Sequence, residues 1–354
     1  MSPREVPHFQ FGWDIGGAHV KACLLQDGAL RDVAQWPCPL WQGMQHLDTA
    51  LGEARSRWSD AWDAGVFHAA TMTGELADVF ADREEGVARI VDRLAQSLGP
   101  SLVLFDAAGE WRAAHDAGSQ WRGIASANWS ATARVLAPRA GNAVLVDIGS
   151  TTTDLVPLRD GRVAAEAASD HERLATGELV YQGVVRTPLC ALGPRVRWRG
   201  RMLNVMNELF ATTADVYRLT GELPPAHDQA ATADGRGKDL RATLQRLARM
   251  LGCDADDASA CEWLALAGWW KDAQLREIQW HLGRVCARAG LPPEAAVIGA
   301  GSGSFLAAQL AAATGRPFLR YADVALPSAD AALAAWADVC APAVSVALLA
   351  CGRG

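Results

Sequence analysis

Short apolar runs separated by small polar turns occur twice in this chain, at the same spacing. Each copy begins with an apolar run that ends in Asp-Ile-Gly, at Asp14 or Asp147, and continues to an Asp-Gly pair that ends at Gly28 or Gly161. Asp-Gly between apolar runs is a strong hairpin signal. The pattern predicts two matched sets of three strands, over 9–14, 18–26 and 29–36 and over 143–147, 152–159 and 162–168.

Elsewhere, strand-like runs alternate with helical periodicity, which is typical of α/β proteins. We predict further strands over 66–71, 102–105 and 295–298, and helices over 83–98, 126–136, 259–289, 304–314 and 330–349. The stretch 176–201 is too irregular for one helix, and 204–252 is predicted to be mainly helical with a loop at 223–237.

The repeated hairpins indicate two α/β domains that face each other across a cleft. We place the first domain at residues 1–140, with a helix at 328–354 that packs back on it, and the second at 141–327. The last helix is apolar nearly all round, so it is expected to be buried.

Composition narrows the class of protein. Of 354 residues, half are hydrophobic and 21% are charged, so a large core is expected. The net charge of −7 and the absence of basic runs argue against a nucleic-acid partner. Eight scattered cysteines without a CxxC pair indicate reduced thiols, and Asp338 and Pro342 interrupt the most membrane-like run. We predict a cytoplasmic protein with no membrane partner; a homo-oligomer remains open.

The first hairpin contains a turn that suits a bound phosphate, DIGGAHVK at 14–21. Gly16 and Gly17 let the backbone turn tightly and bring its N–H groups close to an anion. Asp14 is placed to hold a divalent cation, directly or through water, and Lys21 can add a point charge to a phosphate oxygen. An ordinary hairpin turn is the alternative interpretation of this segment.

The second copy, DIGSTTTDL at 147–155, adds hydroxyl groups to the same plan. Asp147 is the second predicted metal ligand, and Asp154 is either a further metal anchor or a base. The predicted phosphate ligands are Gly149, Ser150, Thr151, Thr152 and Thr153.

A third turn, GAGSG at 299–303, precedes a predicted helix. Gly299, Gly301 and Ser302 would bring backbone and the positive helix start close to a nucleotide or substrate. Alone this turn is a weak signal, because tight packing also selects glycine. The three turns in this order predict a clamp for a polyphosphate and its Mg²⁺.

The three turns resemble the phosphate-1, phosphate-2 and adenosine motifs of the actin/Hsp70/sugar-kinase superfamily, in particular its hydantoinase/oxoprolinase-like branch. Three more segments resemble one small family in that branch, over the whole chain: ATMTGELADVF (70–80), TGELVYQGVVRTPL (176–189) and ATTADVYRLTGEL (211–223). That family is associated with tetrahydromethanopterin-linked C1 transfer, and its archaeal members are methanofuran-biosynthesis synthases.

The resemblance implies two actin-like (ribonuclease H-like) domains and a transferase. It implies that an aminomethylfuran-methyl diphosphate is coupled to the phenol of a tyramine- or tyrosine-type, γ-glutamylated acceptor, and that diphosphate is released. Mg²⁺ is the expected cofactor, and ATP is not required by this interpretation. The expected partners are the small-molecule diphosphate and phenol substrates.

A phenol has a pKa near 10, roughly, so its attack gains from a base. The candidates are Asp154, Glu178, Glu75 and His171. Glu75 and Glu178 each follow Thr-Gly, where an acid can instead cap a helix. Arg186 could pair with an acceptor carboxylate or only fasten its own loop.

Two other functions remain open. An ATP-dependent kinase or hydrolase of the same branch is favoured by the third turn, since the superfamily uses that turn beside adenosine. A non-catalytic nucleotide-binding scaffold is the other alternative. A synthase would turn over furan diphosphate without ATP, a kinase or hydrolase would form ADP, and a scaffold would do neither.

Overall fold

The computed structural model describes residues 8–62 and 66–351. These residues divide into two compact units. The first unit comprises the described residues of Met1–Ala143, Val156–Arg173 and Leu319–Gly354, and the second comprises Val144–Leu155 and Leu174–Phe318.

Strands and helices alternate along the chain. The strands are β1 (Phe9–Ile15), β2 (His19–Gln26), β3 (Ala29–Pro37), β4 (Phe67–Met72), β5 (Leu102–Phe105), β6 (Trp111–Ala113), β7 (Ala143–Ile148), β8 (Thr153–Arg159), β9 (Arg162–Val163), β10 (Leu179–Val180), β11 (Arg195–Trp198), β12 (Arg201–Asn204), β13 (Ala296–Ala300) and β14 (Phe318–Arg320). The α-helices are α1 (Gln45–Arg57), α2 (Arg83–Leu98), α3 (Ala117–Ile124), α4 (Asn128–Ala140), α5 (Asp170–Thr176), α6 (Thr213–Leu219), α7 (Leu240–Arg249), α8 (Ala260–Arg288), α9 (Ser304–Thr314), α10 (Tyr321–Ala325), α11 (Ala331–Val339) and α12 (Ala341–Ala350). The predicted α/β class is confirmed.

The first unit is built on a sheet with the strand order β3-β2-β1-β4-β5-β6. Its first three strands form an antiparallel meander, whereas β1, β4 and β5 run parallel to one another. The carboxyl ends of β1 and β4 therefore lie at the same edge, which is where open α/β sheets place ligand-binding loops.

The two faces of this sheet are covered differently. On one face an aromatic cluster surrounds His68, which stacks on Phe11 and accepts a hydrogen bond from Trp13 Nε1 at 3.2 Å. On the other face α12 packs against β1 so closely that a Cβ on Gly12 would lie 2.0 Å from the Ala343 carbonyl oxygen. Glycine is therefore required where this helix crosses the sheet.

A second sheet has the order β10-β8-β7-β13-β14, with β9 paired to β8. Every residue of β7 is buried, as expected for a central strand. The core of the second unit also includes α8, whose Trp263 and Trp270 are fully buried. The helix α8 begins at a capping box formed by Ser259 and Glu262 and matches the predicted span 259–289.

Both predicted Asp-Gly turns have the backbone that this dipeptide favours. Asp27 and Gly28 have φ of 51° and 79°, and Asp160 and Gly161 have φ of 52° and 75°. Two successive positive φ angles are the mark of a type I′ hairpin turn. The strands β1, β2, β3, β7 and β8 are confirmed to within one residue at each end.

Four predicted elements differ from the structure. The helix over 126–136 is α4 at Asn128–Ala140, and Ser126 lies outside it because its φ of 51° is not helical. The strand β9 spans two residues and not seven, since the following AAEAA segment lacks the β-branched and aromatic residues that favour strands. The stretch 204–252 is helical only in α6 and α7. Its loop is longer than predicted and is fastened by buried ion pairs of Arg218 with Asp228 and of Arg246 with Asp234.

The predicted helix over 330–349 is two helices, bent by 101° at Cys340. Pro342 explains the break, because proline lacks the N–H that a continuous helix needs but fits the first turn of a new one. In the described part of the chain, no single helix is long and apolar enough to cross a membrane. The bent pair α11–α12 meets those two criteria only when counted together.

Candidate functional site

The loop between β7 and β8 presents N–H and hydroxyl groups, and the carbonyls of Gly149 and Ser150 are used within the fold. The Gly149 carbonyl accepts from Val184 N at 3.0 Å, and the Ser150 carbonyl accepts from the backbone of Val185 and Arg186 at 3.1 and 2.8 Å. By contrast, the backbone N–H groups of Ser150 and Thr151 donate no hydrogen bond to any backbone carbonyl within residues 8–62 and 66–351. Free N–H groups on a tight turn form an anion-binding concavity.

Close backbone contact holds this loop in place. A Cβ on Gly183 would lie 2.4 Å from Thr151 N, so this position also requires glycine. The Gly183 carbonyl accepts from Thr213 Oγ1 at 2.9 Å and from Gln274 Nε2 at 3.0 Å. Tyr217 in turn donates its hydroxyl to Gln274 Oε1 at 2.5 Å. A buried polar network therefore fixes the segment that supports the loop.

The structure brings the third glycine turn against the second. Gly301 has a φ of 81°, and a Cβ there would lie 2.2 Å from the Ile148 carbonyl oxygen and 2.5 Å from Asp147 Oδ1. The Gly303 N–H donates to the Ile148 carbonyl at 2.8 Å. Ser302 is buried beside these contacts, whereas Gly299 packs against the ring of Phe318. Asp147 thus lies between two glycine turns.

The hydroxyls of this loop are not equivalent. Ser150 Oγ and Thr151 Oγ1 lie 3.4 Å apart on the half-buried part of the loop, where Thr152 also lies. Thr153 is fully buried, and its hydroxyl donates to the Gln182 carbonyl at 2.7 Å. The proton of Thr153 is therefore used within the fold, and we leave this residue out of the proposed phosphate site.

The predicted acids of the second unit lie on neighbouring strands. Asp154 is paired in register with Leu179, and the Glu178 carbonyl accepts from Leu155 N at 2.8 Å. Both side chains are buried, with 8% of Asp154 and 1% of Glu178 exposed. Glu178 follows α5 and precedes β10, so it does not cap the start of a helix.

The first unit carries its own candidate loop, at the end of β1. In register, Asp14 stands opposite Lys21 on β2 and beside Thr71 on β4, so these side chains point to the same face. The Gly16 N–H donates to the His19 carbonyl at 2.9 Å and closes the turn. Gly17 packs against Gly74, with 3.9 Å from its Cβ position to the Gly74 Cα. Asp14 and Lys21, the predicted cation ligand and phosphate-binding charge of this loop, are therefore neighbours across the strand pair.

Glu75 follows this contact and lies in a cluster that the sequence analysis did not predict. Its Oε1 is 2.7 Å from Ser126 Oγ, which is also 2.9 Å from Asp170 Oδ2. Burial raises the pKa of Glu75 to about 7, against the opposing effect of the Ser126 hydrogen bond. Asp82, and not Glu75, caps α2 by accepting from Glu85 N, so capping does not explain Glu75.

The remaining candidates stand apart from these clusters. His171 is exposed on α5, next to Asp170. The backbone N–H of Arg186 donates to the Ser150 carbonyl, which places Arg186 beside the β7–β8 loop, and both interpretations of its side chain stay predictions. Gly183 lies inside the quoted segment 176–189 but was not singled out there, and Asp170 lies in none of the quoted segments, because their roles depend on contacts far apart along the chain.

No group of three or more His, Cys, Asp or Glu side chains is arranged to hold a metal ion in the part of the chain that the structure describes. Asp147 stands as a single carboxylate at a strand end, as Asp14 does in the first unit. This donor set fits Mg²⁺ carried on a phosphate, which keeps several waters and uses only one or two carboxylates.

Comparison with known families assigns the chain. The profile of the hydantoinase/oxoprolinase family matches residues 67–341. The chain belongs to this family, and the resemblance seen in its motifs is confirmed.

Two curated relatives carry the same name, (4-{4-[2-(gamma-L-glutamylamino)ethyl]phenoxymethyl}furan-2-yl)methanamine synthase. The protein of Methanocaldococcus jannaschii is 33% identical over 246 residues, which are 69% of this chain and 72% of that protein. The protein of Methanococcus vannielii is 38% identical over 126 residues, which are 36% of this chain and 56% of that protein.

Among solved structures, the ethanolamine utilization protein EutJ from Carboxydothermus hydrogenoformans is similar with a TM-score of 0.46 and 12% sequence identity. The match covers 97% of this chain and 90% of that one.

Proposed function

We propose that this protein is a transferase that couples an aminomethylfuran-methyl diphosphate to the phenol of a tyramine-type acceptor and releases diphosphate. The observation that carries the proposal is the 33% identity to a named synthase over 69% of the chain. The name of that relative describes a phenoxymethyl-furan, which is a phenol joined to a furan through a methylene ether. An ether of this kind forms when a phenol oxygen displaces a leaving group from the furan methylene carbon.

The reaction balances without a redox partner. The C–O bond between the methylene and diphosphate breaks, and its electron pair leaves with the diphosphate. The new C–O bond takes its electron pair from the phenol oxygen, whose proton goes to a base. Since the furan ring stabilises positive charge on the methylene, stabilising the departing diphosphate is the main catalytic task.

The loop of the second unit is suited to that task. The N–H groups of Ser150 and Thr151 and the hydroxyls of Ser150, Thr151 and Thr152 are donors for diphosphate oxygens. Because Val184, Val185 and Arg186 occupy the carbonyls of Gly149 and Ser150, these two acceptors do not face an anion at the loop. In the first unit, Gly16, Gly17 and Lys21 form a further donor set for phosphate. We propose each set, within its own unit, as a phosphate-binding site.

We propose Mg²⁺ as the cofactor, with Asp147 as its candidate ligand in the second unit, Asp14 as the candidate ligand in the first, and Asp154 as a further metal anchor. When bound, the ion would neutralise charge on the leaving diphosphate. Gly301 supports this role, because a side chain at this position would collide with Asp147 Oδ1, 2.5 Å from its Cβ position. Glu178 is too buried to meet a substrate in this structure, so we propose that it positions β8 and the loop. We propose that Arg186 and the turn at Gly299–Ser302 contact the substrates.

A coupling assay read by mass spectrometry tests the proposal. Purified protein and Mg²⁺ receive an aminomethylfuran-methyl diphosphate with tyramine, tyrosine or γ-glutamyltyramine, with and without ATP. We expect the ether and one diphosphate per coupling, independent of ATP. Asp147→Asn should lose this activity, whereas Asp256→Asn, at an exposed ion pair with Arg241, should keep it.

The alternative functions give different products in the same tubes. ADP formed from ATP, without ether, would support a kinase or hydrolase and overturn the synthase. Binding of ATP without any product would support a scaffold. The contact of the third glycine turn with Asp147 is the observation that favours a nucleotide.

A further inference from the structure

Glu75, Ser126 and Asp170 form a carboxyl–hydroxyl–carboxyl cluster in the first unit. The three residues come from the turn after β4, the segment before α4 and the start of α5. They are 51 and 44 residues apart along the chain, yet the two oxygen–oxygen distances are 2.7 and 2.9 Å. The fold therefore brings them together, and chain proximity does not.

The hydrogen bonds of this cluster fix its proton count. A serine hydroxyl has a single proton, so Ser126 can donate to only one of the two carboxyl groups. Both distances are those of O–H···O hydrogen bonds. The other carboxyl group must donate to Ser126 Oγ, and it must be protonated to do so. The cluster then carries one negative charge, shared by two acids.

Glu75 is the acid that holds this proton. Only 1% of its surface is exposed, and its second oxygen, Oε2, has no hydrogen-bond partner in the described ranges of the chain. A buried carboxylate with an unpartnered oxygen is costly, whereas a neutral carboxyl group is not. The raised pKa of Glu75 agrees with this. Asp170 is only half-buried, so water can stabilise its negative charge.

We propose that Asp170 is the base that takes the phenol proton, and that Glu75 and Ser126 are positioning residues that aim a hydroxyl at it. The inference rests on the proposed coupling reaction and deepens it. As the phenol oxygen bonds to the methylene carbon and diphosphate departs, the phenol proton moves to the Asp170 carboxylate and then to water.

The position of the cluster suits this role. Glu75 follows Gly74, which packs against Gly17 in the candidate phosphate loop of the same unit. The predicted acids Glu75, Asp154 and Glu178 are all buried, whereas Asp170 reaches the surface. Within the cluster, Asp170 is therefore the acid that is open to a substrate, whereas Glu75 is enclosed by the fold.

Few other charges act on Glu75. From α2, Arg83 lowers its pKa, and from α5, Asp170 raises it. The backbone of Glu75 packs on α2 so tightly that a Cβ on Gly86 would lie 2.2 Å from the Glu75 carbonyl oxygen. This turn cannot move readily. Replacing Glu75 or Asp170 by its amide should therefore remove an ionisable group and leave the packing intact.

Asp170→Asn and Glu75→Gln are expected to have opposite effects on coupling activity. Asp170→Asn should lower kcat by about 100-fold or more, the scale of general-base catalysis, and should leave diphosphate binding unchanged. Glu75→Gln should keep most of the activity at pH 6, because its amide donates to Ser126 as the neutral carboxyl group does. It should also remove the change in rate that Glu75 ionisation causes near pH 7. Loss of activity in Glu75→Gln, with Asp170→Asn active, would overturn the proposal and make Glu75 the base.

Matched variants separate chemistry from folding. Ser126 has a φ of 51°, which glycine adopts easily, so Ser126→Gly removes the hydroxyl without backbone strain. Its kcat should fall, because the hydroxyl that contacts Asp170 is lost. Glu53→Gln, at an exposed position of α1, should behave as wild type. Equal losses in Asp170→Asn and Glu53→Gln would show a nonspecific effect of charge and overturn the proposal.

A second measurement does not depend on the reaction. In infrared difference spectra, wild-type protein should show a protonated carboxyl band at pH 6 that disappears as the pH rises through about 7 and is absent from Glu75→Gln. If wild-type protein forms no ether, the proposed function fails, whatever this band shows. If the ether forms but the band is missing, or Asp170→Asn retains full activity, the role of Asp170 fails alone.

Discussion

At the residue scale, the two threonines Thr151 and Thr153 separate binding from folding. Thr151 lies on the half-buried part of the loop with a free N–H, whereas Thr153 donates its hydroxyl to the Gln182 carbonyl. We expect Thr151→Val to lower coupling activity with little loss of stability. Thr153→Val should instead lower the free energy of unfolding by about 1–3 kcal/mol, because a buried carbonyl loses its donor.

Both quantities can be measured on the same samples, by urea unfolding and by the coupling assay. The Val substitution keeps the shape of each side chain, so each variant is the control for the other. If Thr153→Val lost activity at unchanged stability, its hydroxyl would belong to the phosphate site after all.

His68 predicts how stability depends on pH. Burial lowers its pKa from 6.5 to about 4 in the folded protein. Between these values the unfolded chain binds more protons, so the free energy of unfolding falls as the pH falls. We expect a loss of about 2 kcal/mol from this residue between pH 6.5 and 5, at about 1.4 kcal/mol per pH unit.

The measurement is urea unfolding at pH 7, 6 and 5. His68→Asn keeps an acceptor for Trp13 Nε1 but does not titrate, so its stability should fall less over this range. An equal loss of stability in wild type and His68→Asn would show that groups other than His68 lower the free energy of unfolding between pH 7 and 5.

Residues of the candidate site could be predicted where they are neighbours in sequence and form one motif. Asp147 and the hydroxyls after it are recognisable because their chemistry and their turn lie within nine residues. Ser126 and Asp170 were not, since only the packing of three separate elements brings them to Glu75. The burial of Thr153 also depends on a residue 29 positions away.

At the element scale, the contact between β1 and α12 depends on Gly12. A Cβ there would lie 2.0 Å from the Ala343 carbonyl oxygen and 2.7 Å from the Ala347 Cβ. Gly12→Ala should push the helix off the sheet and cost about 1–3 kcal/mol, as overpacking of a core does.

Gly52 provides the control for this substitution. It lies inside α1 with nothing within 4 Å of its Cβ position, so Gly52→Ala should raise stability by up to about 1 kcal/mol. Thermal unfolding of the two variants should therefore shift in opposite directions. A neutral effect of Gly12→Ala would mean that α12 moves without cost.

The strands were more predictable than the ends of apolar helices. Asp-Gly turns with positive φ fix the hairpins from local chemistry alone. In contrast, the run 331–350 is apolar apart from Asp338 and Ser345, so its pattern carried little signal for the bend at Cys340. Pro342 was the sequence signal next to the bend. Proline in the first turn of a helix does not by itself show that another helix ends just before it.

At the scale of the whole molecule, the proposed function predicts stabilisation by diphosphate. A ligand that binds only the folded protein stabilises it by about 2.7 kcal/mol at 100 times its Kd. For a chain of this length we expect diphosphate with Mg²⁺ to raise Tm by a few degrees, measured by differential scanning fluorimetry. Because the donors are on the loop after β7, Asp147→Asn should abolish the shift and Asp256→Asn should retain it. Thr153→Val should start from a lower Tm and still show the shift, since its hydroxyl serves the fold. A shift with ATP but none with diphosphate would identify a nucleotide site and contradict the proposed synthase.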